Sequence, residues 1–215
     1  MTKRPKNQPI VEPTTGAMFG LQGLAGFLLG GLTSITLAMA PALWSDSPES
    51  SPIRFLGYII GGALGGACLV WGYPKRRVLG AAALGFGGAF LIPAFVAGAA
   101  IDGLMKLEAA DYRAGVVIST FFAYSISFGI AGGLGMALTI PRMFWKTTWV
   151  FFAAGGVGGV LASIGPGLGG AGDLVTAYRT LVFLLAGHVV AFGLAGYGTG
   201  KLIERDLRRP ARDRR

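Results

Sequence analysis

The stretch Ile53–Ala100 constrains this chain more than any other: two apolar segments joined by the basic loop Pro74-Lys75-Arg76-Arg77 make a helical hairpin suited only to a membrane. Its features recur roughly seventy residues further on, a spacing typical of a two-helix repeat that gains stability by stacking on copies of itself. The run Gly62-Ala63-Leu64-Gly65-Gly66-Ala67 reappears as Gly132-Gly133-Leu134-Gly135-Met136-Ala137, followed again by a proline and a cation at Pro141-Arg142. Past the turn, Gly85-Phe86-Gly87-Gly88 and Pro93 are echoed by Gly156-Val157-Gly158-Gly159 and Pro166.

Composition enters as a check on this class. Hydrophobic residues make up 53% of the chain, charged residues only 13%, and the mean hydropathy is +0.60; a soluble domain carries roughly a quarter charged residues. The 37 glycines suit helices that approach closely in lipid, where small residues replace a hydrophobic driving force. Cys68 is the single cysteine, so neither an intrachain disulfide nor a thiolate zinc cluster is available.

In chain order, residues 1–15 read as a polar cytoplasmic tail, and residues 16–201 as six transmembrane helices at about 16–43, 53–73, 78–101, 115–140, 147–168 and 178–201. Residues 202–215 read as a basic cytoplasmic tail, and the connector Asp102–Arg113 as a short interfacial helix. The first apolar run is too long for a signal-peptide core and lacks a clear cleavage site, so it is expected to be retained.

Every charge then falls in a loop or tail. The side of the N-terminal tail holds Lys3, Arg4, Lys6, Lys75, Arg76, Arg77, Arg142, Lys146, Lys201, Arg205, Arg208, Arg209, Arg212, Arg214 and Arg215, fifteen of the 19 cations. Arg54, Lys106, Arg113 and Arg179 lie opposite. The bias predicts both termini in the cytoplasm, in a bacterial-type inner membrane or a plasma membrane. The formal charge of +9 is thus topological, and no nucleic-acid partner is expected. The basic C-terminal run would attract anionic headgroups, although a solvated topology determinant is the plainer reading.

Each span carries small residues four apart, on one helix face. These are Gly26-Gly30-Ser34-Ala38, Gly57-Gly61-Gly65, Ala81-Gly85-Ala89-Pro93-Ala97, Ser119-Ala123-Ser127-Ala131-Gly135, Gly155-Gly159-Ser163-Gly167 and Gly187-Ala191-Ala195-Thr199. Such ladders let backbones meet and point to tight helix packing; lining of a narrow pore is the alternative. Pro93 and Pro166 are expected to bend the third and fifth spans, since each removes one backbone hydrogen bond. Matching interruptions in two repeats mark a binding site in transporter-like folds, though proline is common in membrane helices in any case.

The fourth span has a polar stripe of Ser119, Thr120, Tyr124 and Ser127, which either lines a hydrated path or bonds back within the bundle, the latter preferred. His188, the single histidine, lies near the middle of the last span, beside Leu184, Leu185, Ala191 and Phe192. An ionisable side chain at that depth is a site hypothesis by default, as proton relay, ligand contact or axial ligand to a haem or pigment. A neutral imidazole bonded to a hydroxyl is the structural alternative. No cofactor is required by the sequence.

Other chemistry is sparse. Gly167-Leu168-Gly169-Gly170-Ala171-Gly172 has the letters of a dinucleotide fingerprint but follows a membrane span rather than a strand. Asp102 and Asp173 close two spans on the outer side, where they read as solvated loop acids rather than a vestibule. No carboxylate pair or serine–base arrangement falls within the spans, so no catalytic residue is assigned and the chain is not expected to be an enzyme.

The expectation is therefore an all-α integral membrane protein of three related helical hairpins with Gly/Ala/Ser ladders. Its expected role is that of a structural or accessory subunit packing against itself as a homo-oligomer or within a larger membrane complex. The alternative is a passive channel or small-solute transporter with a path between the repeats. Absence of Asp, Glu, Lys and Arg within the spans argues against ion-coupled transport.

Overall fold

Apolar segments without an exposed edge to satisfy can cross lipid only as helices, since all backbone groups then bond within the segment. Every regular element among the described residues is helical. The structure, a computed structural model, describes residues 18–39, 53–73, 76–96, 99, 114–167 and 174–208. The N-terminal tail, the connector Asp102–Arg113, residues 168–173 with Asp173, and the tail beyond Arg208 lie outside the described residues.

The helices are α1 (Met18–Met39), α2 (Ile53–Leu69), α3 (Arg77–Ala89), α4 (Ala114–Thr139), α5 (Phe144–Gly167) and α6 (Leu174–Arg208). A 3-10 turn, Pro141–Met143, joins α4 to α5. Among the described residues five stretches have the length and apolarity to cross a membrane, one of them being α3 together with the helical segment that follows it, Arg77–Val96. The expected second span is not among those five: α2 as described has 17 residues, and its described apolar stretch is Phe55–Leu69. It ends at Leu69, and in the turn that follows Gly72 takes φ +87, a left-handed conformation open to glycine. Conversely, α6 does not end at the expected boundary near Lys201; its 35 residues continue to Arg208, a length of roughly 52 Å at 1.5 Å per residue.

Prolines punctuate the chain in two ways. Pro141 forces the residue before it out of the helical region, and Ile140 accordingly sits at φ −138, ψ 84. Pro93 cannot donate to Ala89, and α3 breaks at Phe90 before a helical segment resumes at residues 91–96. At Pro166 there is no matching interruption: α5 is helical through it to Gly167, the last described residue of that segment.

Consecutive helices pack side by side, and α6 packs on α1, closing the six into a ring. A ring demands two contact faces per helix rather than one. Adjacent glycines, about 100° apart on the helix, supply them. Gly30 meets Gly61 of α2 while Gly31 meets Phe192 of α6. Gly61 and Gly65 turn to α1, whereas Gly62 and Gly66 turn to α3. Gly158 faces Gly187 and Ala191 of α6, and Gly159 faces Thr120 and Tyr124 of α4.

The ladder glycines lie at these seams, and two of them, Gly65 and Gly135, also face rings on the axis. Gly26 abuts Cys68, Gly57 abuts Ser34 and Leu37, and Gly65 receives the Phe27 ring. A methyl on Gly85 would lie 3.0 Å from the Gly135 carbonyl, Gly135 itself seats Phe86, and Gly155 seats the Tyr124 carbonyl and Phe128. Ser34 Oγ lies 2.8 Å from the Gly30 carbonyl and 3.1 Å from that of Gly57 across the α1–α2 seam. Gly80 and Gly88, on the outer face of α3, have open space around them.

Aromatic side chains from several helices meet at the middle of the ring. Phe27 of α1, Phe86 and Phe90 of α3, Phe128 of α4, Phe151 of α5 and Phe192 of α6 are all fully buried. Their contacting ring centroids lie 5.1–6.3 Å apart. Phe27 touches rings on α3 and α5, neither of which is a ring neighbour of α1, so the side chains meet across the axis. Edge-on pairs such as Phe27–Phe151, at 76°, add about 0.5–1.5 kcal/mol each beyond their packing. Large apolar side chains such as Leu29, Leu84, Ile118, Phe122 and Leu138 are exposed on the outside, as a lipid-facing surface requires.

The start of α1 and the end of α6 lie together at one end of the ring. The Gly20 amide, near the start of α1 as described, donates to Glu204 Oε1 at 2.9 Å. Lys201 Nζ donates to the other Glu204 oxygen at 2.8 Å. Arg142, beside the α4–α5 turn, pairs with Asp206 of α6. These contacts fasten α6 to both of its flanks where it emerges from the apolar zone.

Candidate functional site

On the axis, one layer from the phenylalanine cluster and farther from the end that carries Glu204, three polar rings meet from alternate helices. They are Tyr58 of α2, Tyr124 of α4 and His188 of α6. The exposures are 3%, 0% and 2% respectively. His188 Nδ1 lies 2.9 Å from the Leu184 carbonyl one turn back. A carbonyl only accepts, so Nδ1 carries the proton and Nε2 is the acceptor. The Tyr58 hydroxyl, 2.9 Å from Nε2, therefore donates to it. The Tyr124 hydroxyl is 3.5 Å from Nδ1, a long contact, and its ring lies edge-on to the imidazole with centroids 5.2 Å apart.

This network satisfies a neutral imidazole on both nitrogens. A haem or pigment ligated by His188 would have to displace either Tyr58 or the helix carbonyl, in a space already filled by Phe128 and Phe192. Their centroids are 5.3 Å apart, and Tyr124 stacks on Phe128. The arrangement can hold a proton between a phenol and an imidazole, and it ties three non-adjacent helices together at one level. Among the described residues, no three His, Cys, Asp or Glu side chains come together as a metal-binding group.

The expected polar stripe of α4 divides. Ser119 is exposed and bonds the Val116 carbonyl at 3.0 Å. Thr120 bonds the same carbonyl at 2.8 Å, and Ser127 bonds that of Tyr124 at 3.2 Å. Three of the four hydroxyls thus return to their own helix, and only Tyr124 reaches another. Ser119 is not gathered with the rest, because its position turns outward from the axis. The hydroxyls of Ser125, Thr147 and Thr199 are buried without a hydrogen-bond partner, as is Gln22 Oε1.

Pro93 is buried on the helical segment after the Phe90 break. Gly62 packs on Phe86 and Phe90, so Tyr58, one turn farther along α2, stands level with Pro93. Pro166 lies in the last turn of α5, away from that layer. The two prolines are therefore not brought to one site.

Sequence reasoning missed Tyr58, the strongest partner of His188. A lone tyrosine among the glycines of α2 was a signal, since a ring in a small-residue helix must occupy space that another helix leaves. Which helix that would be depends on ring closure. Compared with protein-family models, curated proteins and solved structures, the chain matches none of them.

Proposed function

We propose that this chain is a non-catalytic, multi-pass membrane protein with six spans in three hairpins, acting as a structural or accessory subunit. The observation that carries this reading is the solid interior: six phenylalanine rings from five helices occupy the axis where a conduit would run. The His188 network adds to it, because a fully bonded neutral imidazole serves as a cross-brace. What remains free for a partner is the lipid-facing exterior. The glycine ladders are spent on the ring itself.

The hairpin repeat draws support from equivalent glycines. Gly62 seats the Phe86 carbonyl and the Phe90 ring of the next helix, and Gly132 seats Phe151 of the next helix. The shared end of α1 and α6 supports termini on one side of the membrane, and the cation bias makes that side the cytoplasm. A reporter active only outside the cytoplasm, fused after Arg215, is expected to stay silent; activity from it would overturn this orientation.

Purification in mild detergent together with reconstitution into vesicles tests the function. A stoichiometric membrane partner or defined homo-oligomer, and no small-solute flux above protein-free vesicles, is the expected outcome. A lone protein that conducts solute would replace this reading with the passive-path alternative. One observation favours that alternative: the break at Phe90 lies under a ring stacked on Phe192 at 5.1 Å, so motion there would part the core.

A further inference from the structure

The end of the ring that carries Glu204 also carries an exposed surface of cations and indoles, of which Arg142 is tied to the ring through Asp206. Arg142 and Lys146 are four apart, as are Trp145 and Trp149, so the two pairs run side by side over one face of the 3-10 turn and the start of α5. Trp145 is 70% exposed and Trp149 64%. Arg142 and Lys146 are exposed as well. The neighbours of α5, helices α4 and α6, flank this face without covering it. The seven steps from Arg142 to Trp149 span about 10 Å of helix, so Arg142 stands at the rim, Trp145 and Lys146 at one level further in, and Trp149 deepest.

Indoles favour the zone between water and hydrocarbon, where an apolar ring and a polar N–H are both accommodated. Cations at the same level attract anionic lipid. All three tryptophans among the described residues, Trp71, Trp145 and Trp149, are exposed and belong to this end of the bundle. Only on α5 do two of them bracket a lysine on one helix face. Arg142 is held in place by Asp206, to which Nε and Nη2 both donate.

We propose that this face retains the headgroup of an anionic phospholipid, with Lys146 and Arg142 toward the phosphate and Trp145 and Trp149 flanking the glycerol and upper acyl chain. Asp206 then competes with the phosphate for Arg142, which gives the site a signed prediction that a generic interfacial belt does not make. The proposal rests on the reading of the chain as membrane-spanning.

The test is native mass spectrometry of the full chain in mild detergent, titrated with phosphatidylglycerol or phosphatidylcholine. Phosphatidylglycerol is expected to be retained preferentially. Lys146→Gln is expected to weaken that retention about fivefold, and Lys146→Arg to preserve it. Replacing Trp145 and Trp149 with leucine weakens it without altering the melting temperature, and Asp206→Asn strengthens it. Equal retention of the two lipids, or selectivity unchanged by both Lys146→Gln and Asp206→Asn, overturns the proposal. Recovery of the chain in the soluble fraction without detergent would instead sink the membrane reading on which it rests.

Discussion

Two sets of glycines in this ring do opposite work. At the seams of α1, glycine lets backbone touch backbone: Gly23 lies against Gly196, Gly30 against Gly61 and Gly200 against the Phe19 carbonyl. Facing the axis, glycine makes room for a ring instead, as Gly31 does for Phe192, Gly65 for Phe27, Gly132 for Phe151 and Gly135 for Phe86. A methyl group added at a seam meets a main-chain carbonyl that cannot move without its helix. Added on the axis, it meets a side chain instead, at ring atoms for Gly65 and Gly135 and as far down as Cβ for Gly132. The seams therefore set the spacing of the helices, and the axis sets what fills the space between them.

The most severe test of the axis removes a ring rather than adding a methyl. Phe27→Ala takes away the side chain that contacts Phe86, Phe90, Phe151 and Phe192, and a loss of about 3–5 kcal/mol is expected for a buried phenylalanine. Unfolding titrations in mixed micelles measure it. A loss below about 1 kcal/mol would mean that the core collapses freely and that the axis is not packed as described.

Gly61→Leu tests the seam. The new side chain would fall on the Gly30 carbonyl and on Ser34 Oγ, and about 3 kcal/mol is expected, the upper range for overpacking. Its partner measurement is Gly135→Ala, which presses on the Phe86 ring and is expected to lose only about 1 kcal/mol. Equal losses at both sites would erase the distinction between seam and axis.

His188 lies between these extremes because it joins helices through polar contacts. His188→Leu leaves the Tyr58 hydroxyl without its acceptor and is expected to lose about 1–3 kcal/mol of stability. His188→Gln, which keeps a donor and an acceptor, is expected to recover most of that. If glutamine instead abolishes a flux, or a visible absorbance seen in the wild type, the residue carries chemistry and the cross-brace reading fails.

The smallest effect has the opposite sign. Gly88→Ala, on the open outer face of α3, meets nothing and gains helix propensity, so a stabilisation of up to about 1 kcal/mol is expected. A destabilisation there would show that another helix packs against this face.

Much of this was legible in the order of residues, and the doublets show where legibility ended. The spacing of Gly57, Gly61 and Gly65 announces a tight helix face, because four residues return to nearly the same azimuth. Gly62 and Gly66 beside them announce a second face just as directly. Reading one ladder per span overlooked it, and with it the ring. Pro93 is likewise a local signal with a local result, the break at Phe90. Pro166 has the same chemistry, yet α5 runs through it as helix to Gly167.

The sequence by itself determined that the chain is helical and apolar, which end of each helix carries cations, and which residues are small enough for close approach. These follow from rules acting within a few residues: hydrogen bonds inside a segment, side-chain volume and charge beside water. Only the tertiary structure decided that α6 closes on α1 and that phenylalanines from five helices share one axis. It alone decided that Tyr58, 130 positions away, is the partner of His188. Those outcomes depend on which helix stands opposite which, and no periodicity along one strand of chain encodes a distance across a ring.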